Sequence, residues 1–250
     1  MALWAKDGEK YLEDVLGRID SVIPREGVDQ KIFVDDHSTD SSRKIAQAHN
    51  WTVYPNIKGG VGEAANIALS LVGTEFFASF EQDLLLARDW YPRISRIFGD
   101  SSVAVAQGWR RPDDSVIAKI EDHVLQNAVL HSSDNNIYNT DVIRKVGGFP
   151  RFRYQGVDGY LRSKVLEAGY KWVTDANVMS VHLRREGLKG EIRRNYTIGR
   201  TEPRELLKHA KIAILSPCAA LEIVIKKKCP QAAVYYPLMR YARLKGQLKR

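Results

Sequence analysis

Cysteine is nearly absent from this sequence: only Cys218 and Cys229 occur in 250 residues, both near the basic end. Two thiols so placed form neither a disulfide framework nor the spaced Cys/His pairs of a zinc site, and they point to a reducing compartment. Long apolar runs are missing as well. The most apolar stretch, residues 212–225, contains Pro217 and Glu222 and runs into Lys226, Lys227 and Lys228, which falls short of the ~20 apolar residues a membrane-spanning helix needs. The opening residues, MALWAKDGEK, bring charge too early for the apolar core of a signal peptide. A cytoplasmic protein is expected. Neither an internal repeat nor a low-complexity linker is present, which excludes solenoids and arrays. What remains is a chain 44% apolar, enough to bury the core of one large domain or of a domain with an appendage.

Charge divides the chain in two. Residues 184–250 hold 17 Lys and Arg against 5 Asp and Glu, about +12, whereas residues 1–183 sum to about −4. A mildly acidic body from 1 to 183 and a basic, helical C-terminal region from 184 to 250 are expected. A surface of one sign suits a polyanion, either anionic lipid headgroups or nucleic acid. Within the basic region Leu221, Ile225, Tyr235, Tyr236, Leu238 and Met239 fall on or near one side, as in an amphipathic helix lying on a bilayer. Packing of that side against the body is the competing explanation.

In the body, strand-like and helix-like periods alternate, the pattern of an α/β sheet. Strands are expected at Ala2–Ala5, Lys31–Val34, Trp51–Tyr54, Phe76–Phe80, Val103–Gly108 and Val178–His182. Helices are expected on the face Leu12, Val15, Leu16 and Ile19, capped by Asp7, then from Asp40 or Ser41 to Ala48. Further helices are expected at Gly62–Val72, Trp90–Phe98, Val116–Leu130 and Asp158–Ala168.

The chemistry sits where strands end, because ligands of an open parallel sheet bind beyond the carboxyl ends of its strands. FVDDHSTD places Asp35 at such an end, where a carboxylate can accept hydrogen bonds from a base imide or a ribose hydroxyl. Asp36, Ser38 and Asp40 suit turn and cap bonds. FEQD places Glu81 and Asp83 at a second strand end, one residue apart, a spacing able to hold a hard divalent cation that neutralises a diphosphate. Acidic strand ends also occur in phospho-acceptor receiver domains, but such a domain would end near residue 120.

The ordered series FVDDHSTD, GVGEAAN (60–66), FEQD (80–83), VGGF (146–149), GVDGYLRSKVLEAGYKW from Gly156 and VMSVH ending at His182 resembles the family 2 glycosyltransferases of the GT-A fold, over residues 1–183. The resemblance implies a Rossmann-like, mostly parallel sheet flanked by helices. It also implies inverting transfer of one sugar from a nucleotide-diphosphate donor of the UDP or GDP type. It places Ala5, Asp7, Asp35, Gly60, Gly62, Asn66, Glu81 and Gln82 around the donor, and Asp83 with His182 on Mn²⁺ or Mg²⁺. Asp158 is the implied catalytic base, near a helix N-terminus whose dipole favours the carboxylate. Two positions depart from the family pattern: Glu81 stands for the first Asp of Asp-x-Asp, and Val157 for an acidic residue. These keep a non-catalytic nucleotide-sugar binder in view. Trp109, Arg110 and Arg111 are expected to shape the donor pocket. With no Gln-x-x-Arg-Trp element, a processive synthase is not expected. The basic tail implies an enzyme docked on the inner face of a membrane with a lipid-linked acceptor, with a soluble enzyme using a protein or small-molecule acceptor as the other option. A nucleic-acid partner is not expected.

Overall fold

The computed structural model describes residues 1–125, 132, 135–151, 156–183, 187–202 and 204–249. They form two compact units, 1–111 with 130–182, and 112–129 with 183–250. The segment 112–129, which a single division at residue 184 assigns to the body, thus counts with the C-terminal helices.

The first unit begins with β1 (Ala2–Ala5), α1 (Glu9–Val22), β2 (Ile32–Asp35), α2 (Ser42–Ala48), β3 (Thr52–Pro55), α3 (Val61–Leu71) and β4 (Phe76–Glu81). Every residue of β1 and β2 is buried, as expected for parallel strands covered on both faces. In α1 the residues Leu12, Val15, Leu16 and Ile19 are all buried, the single apolar stripe that the helical period requires. After β5 (Leu84–Leu85) and α4 (Trp90–Arg96) come β6 (Val103–Pro112), β7 (Asn135–Asn139), α6 (Thr140–Lys145), α7 (Val157–Glu167) and β8 (Lys171–His182), with α5 (Ser115–Leu125) between β6 and β7. The helix expected to reach Leu130 is seen to Leu125; residues 126–130 lie outside the described residues.

Eight strands form one sheet in the order β3-β2-β1-β4-β7-β6-β8-β5. Parallel pairing joins β3, β2, β1 and β4, whereas β4 with β7, β7 with β6, and β5 with β8 are antiparallel. β7 was not expected from the sequence, because NNIYN lacks a sustained apolar run. Asn135 and Asn136 are nevertheless completely buried, and Asn135 joins a network across the sheet. Asn135 donates to the Trp109 carbonyl at 3.0 Å and its amide oxygen accepts from Ser180 Oγ at 3.3 Å. Trp172 Nε1 donates to Gln107 Oε1 at 2.7 Å. Such bonds make burial of these groups tolerable, and they set the ends of β6 and β8 relative to each other.

Aromatic contacts fill the centre of this unit. Phe77 stacks on Tyr138 with ring centroids 4.9 Å apart, and Phe149 meets Tyr138 and Trp4 edge-on. Gly62 is required by a close approach, since a Cβ there would overlap the Pro150 carbonyl oxygen.

The second unit contains α5 with α8 (Gly187–Thr201), α9 (Leu206–Lys227) and α10 (Ala232–Leu248). α8 and α10 approach so closely that a Cβ on Gly199 would overlap the Arg243 carbonyl, and one on Gly246 the Tyr196 carbonyl. Pro217 inside α9 cannot donate to the Ala213 carbonyl four residues back; Ser216 Oγ donates to that oxygen at 2.6 Å instead. Glu202 receives both Arg243 Nε, at 2.9 Å, and Arg243 Nη2, while His209 Nε2 lies 3.0 Å away. Tyr236 and Met239, expected on the same apolar side as Leu221, Ile225 and Leu238, are buried within this unit, because they occupy the α10 face that also carries Ala232 and Ala242. No helix among the described residues is long and apolar enough to cross a membrane.

Candidate active site

The sheet brings two loops together beyond β1 and β2. Asp7 Oδ1 accepts from the Thr39 N–H at 2.8 Å, and Ser38 Oγ accepts from the Asp7 N–H at 3.0 Å. Glu9 Oε2 accepts from Ser41 N while Asp40 Oδ2 accepts from Glu9 N. Burial would raise the Asp40 carboxyl, but the Ser42 hydroxyl and the Glu9 and Ser42 amides outweigh it and hold the group below its ordinary 3.8. Asp7 does not cap α1, whose N-cap is Gly8; it takes a positive φ of 48° and fastens the neighbouring loop. His37 is likewise at φ 62°. Non-glycine residues in this region carry strain of about 1 kcal/mol or more, which is retained where surrounding bonds over-determine the backbone.

Asp35 and Asp36 have separate surroundings. Asp35, 5% exposed, closes β2 opposite Ala5, accepts from Ser38 N at 3.2 Å and lies 3.8 Å from Arg43 Nε. Asp36 turns toward α3, where its carboxylate accepts from Asn56 Nδ2 at 3.0 Å and from the Gly60 amide. This is more than the turn role the sequence suggested, for Asp36 also lines a cavity of about 260 Å³. Trp4, Ala5, Lys6, Gly60, Val61, Ala64, Glu81, Gln82 and Asp83 complete its walls.

Four of the expected donor-side residues, Ala5, Gly60, Glu81 and Gln82, therefore share one hollow with Asp83. Gln82 accepts from the Lys6 amide at 2.8 Å, tying the β1 end to the β4 end. Asp7, Asp35, Gly62 and Asn66 lie outside that lining. Asn66 in particular clasps the chain at Phe149: its Nδ2 donates to the carbonyls of Gly62 and Phe149 at 2.9 and 2.7 Å, and its Oδ1 accepts from Phe149 N at 3.0 Å.

Glu81, Asp83 and His182 each offer a ligand atom, all within 4.8 Å of one another. The pairing of β5 with β8 sets Leu84 opposite His182, and this brings His182 Nε2 to 3.0 Å from Asp83 Oδ2. Adjacent ligands on an octahedral ion with bonds of about 2.1 Å are separated by about 3.0 Å, so these residues fit a hard divalent cation. Arg110, near the end of β6, lies with Nη1 3.6 Å from Glu81 Oε2. A cation is thus built in beside the longer carboxylate that replaces the usual aspartate. Asp158 is the second residue of α7, after Gly156 with φ 86° at the N-cap. Lys6 was not singled out from the sequence; its position directly after an apolar strand was the available signal.

The fold is similar to that of mannosyltransferase PcManGT from Pyrobaculum calidifontis, solved with GDP-Man and Mn²⁺ (TM-score 0.62, 19% identity, 96% of this chain and 72% of that one). It is similar to S. aureus TarS residues 1–349 in complex with UDP-GlcNAc (TM-score 0.59, 16% identity, 98% and 87%), although the chain spans only 52% of a longer TarS structure. It is also similar to glucosyl-3-phosphoglycerate synthase from Mycobacterium tuberculosis with Mn²⁺, UDP and glucosyl-3-phosphoglycerate (TM-score 0.57, 17% identity, 80% and 78%). No curated protein sequence matches the chain. The fold is that of a GT-A glycosyltransferase domain. The sequence pattern described as Glycosyl transferase family 2 matches residues 9–167, well over half of the chain, and the protein belongs to that family.

Proposed function

We propose that this protein is an inverting hexosyltransferase that moves one sugar from a UDP- or GDP-sugar to an acceptor hydroxyl or phosphate. The observation that carries the reading is the Glu81, Asp83 and His182 cluster, two of whose members wall the cavity beyond β1 and β4. Asp35 is the group for the donor base, since uracil and guanine both present an imide N–H to a carboxylate. The start of α3 offers N–H groups to the diphosphate. Asp83 and His182 would hold the metal; the nitrogen ligand leans the choice toward Mn²⁺ over Mg²⁺. When bound, such an ion supplies neutralisation of the departing diphosphate.

Asp158 takes the proton from the acceptor as its oxygen bonds to the anomeric carbon, while the bond from that carbon to the diphosphate breaks on the opposite face. The nucleoside diphosphate leaves as an anion and the configuration inverts. The first turn of α7 favours the ionised form that this role needs. A lipid-linked acceptor, met on the cytoplasmic side of a membrane, matches the basic C-terminal helices. Glu81 and Val157 leave a non-catalytic donor-binding protein as the second reading.

Thermal-shift titration with UDP, GDP and dTDP, each with and without Mn²⁺, tests the site: stabilisation by one nucleotide that requires Mn²⁺ is expected, and no shift with any of them would refute the donor site. Asp158→Asn is expected to lower transfer at least about 100-fold while nucleotide affinity changes less than about twofold. An unchanged rate would remove Asp158 from the mechanism.

A further inference from the structure

The two C-terminal helices are apolar on opposite sides. The inner face of α9 carries Ala213, Ser216, Ala220 and Ile223, spaced three and four apart and buried. Its outer face repeats the spacing with Ile214, Leu221 and Ile225, each 60–69% exposed. The same holds for α10, where Tyr236 and Met239 are buried while Val234, Leu238 and Tyr241 are exposed. A surface helix of a globular protein normally has one apolar stripe; these have two. Among the described residues, nine of the fourteen exposed large hydrophobics lie on α9 and α10, although these helices make up a minor part of the chain. Exposed apolar surface so concentrated marks a site of interaction.

Charge selects the partner. Residues 206–249 contain nine Lys and Arg and one acidic residue, Glu222, a net +8, which equals the formal charge of the whole chain. Lys211, Lys226 and Lys245 are exposed on the same helices, and Lys228 and Lys249 at their C-caps. A second copy of this face would bring like charges together. A nucleic acid would satisfy the lysines and leave the Leu and Ile side chains against water. A bilayer with anionic headgroups satisfies both, by accepting the apolar side chains below the headgroups and the ammonium groups among them.

We propose that the outer face of α9 and α10 docks the protein on an anionic lipid bilayer, with both helices lying in the interface. The inference deepens the membrane part of the proposed function, but it rests on the second unit alone, so Asp158→Asn must leave docking unchanged.

The test is flotation of the 250-residue chain with vesicles of phosphatidylcholine containing 30 mol% phosphatidylglycerol, beside pure phosphatidylcholine vesicles and a single-stranded 30-mer oligonucleotide. Binding to the anionic vesicles at least about tenfold tighter than to neutral ones is expected. Ile214→Gln/Leu221→Gln/Ile225→Gln, all exposed positions, is expected to lower vesicle binding at least about tenfold with an unchanged circular dichroism spectrum and melting temperature. Lys226→Gln/Lys228→Gln is expected to weaken binding to anionic vesicles only. Absence of vesicle binding by the unaltered chain would overturn the proposal, as would equal binding by the triple variant. So would an outer face found covered in a dimer, or an oligonucleotide bound more tightly than the vesicles.

Discussion

Asn66 is the residue for which sequence and structure imply different roles, donor contact in one case and a clasp in the other, and a substitution separates them. In the structure its side-chain amide makes three hydrogen bonds to the backbone of Gly62 and Phe149, at 2.7–3.0 Å. They hold the turn that inserts the buried Phe149 ring between Trp4 and Tyr138. Each such bond contributes about 1 kcal/mol net, and more when a buried partner is left unsatisfied. Asn66→Ala is therefore expected to destabilise the protein by about 2–4 kcal/mol, or roughly 4–15 °C in melting temperature for a chain of this size. Asn66→Asp retains the acceptor for Phe149 N but sets a carboxylate against two carbonyl oxygens, so despite its near-identical shape it is expected to be at least as damaging. Guanidinium unfolding followed by tryptophan fluorescence measures the loss, and nucleotide titration of the folded variants measures the alternative. A stability change under about 0.5 kcal/mol, accompanied by a tenfold fall in nucleotide affinity, would refute the clasp and return Asn66 to the donor.

Arg110→Gln removes the cation beside Glu81 and is expected to tighten Mn²⁺ binding to the nucleotide-free protein by about threefold or more, read as loss of the free-ion electron paramagnetic resonance signal; unchanged or weaker binding would show that Arg110 does not oppose the ion. Burial alone would raise the Glu202 carboxyl, but Arg243 and His209 outweigh it and hold the group below its ordinary 4.5. A depressed carboxylate stabilises the fold above its unfolded value and loses that contribution as pH falls through the folded one. Glu202→Gln should accordingly be less stable than the unaltered chain at pH 7, the gap closing below about pH 4.5; a gap constant from pH 7 to 3 would refute the assignment.

The legible part of the fold was the part with strong local periodicity. β1 and β2 are short apolar runs, and α1 carries one stripe, so burial of each follows from hydrophobic spacing alone. β7 was not legible because NNIYN is polar by composition and becomes interior only once Trp109 and Ser180 supply hydrogen-bond partners. In the same way Leu221, Ile225, Leu238, Tyr236 and Met239 read from the sequence as one apolar side, yet the first three are exposed and the last two buried, since helical spacing tells faces apart but not which face another helix covers.

By itself the amino-acid order determined that acidic side chains would stand at the ends of β2 and β4, because an apolar run must stop where charge begins. It also determined that the basic helices would close the chain. Only the tertiary structure decided which of these residues meet. Asp83 and His182 are 99 positions apart and lie within 3.0 Å because β5 pairs with β8. Arg110 reaches Glu81 from a strand whose end is held by Asn135. Asp36 faces the cavity while Asp35 does not line it. Contacts of this kind depend on sheet order and on buried hydrogen bonds between distant segments, and local spacing carries no record of either.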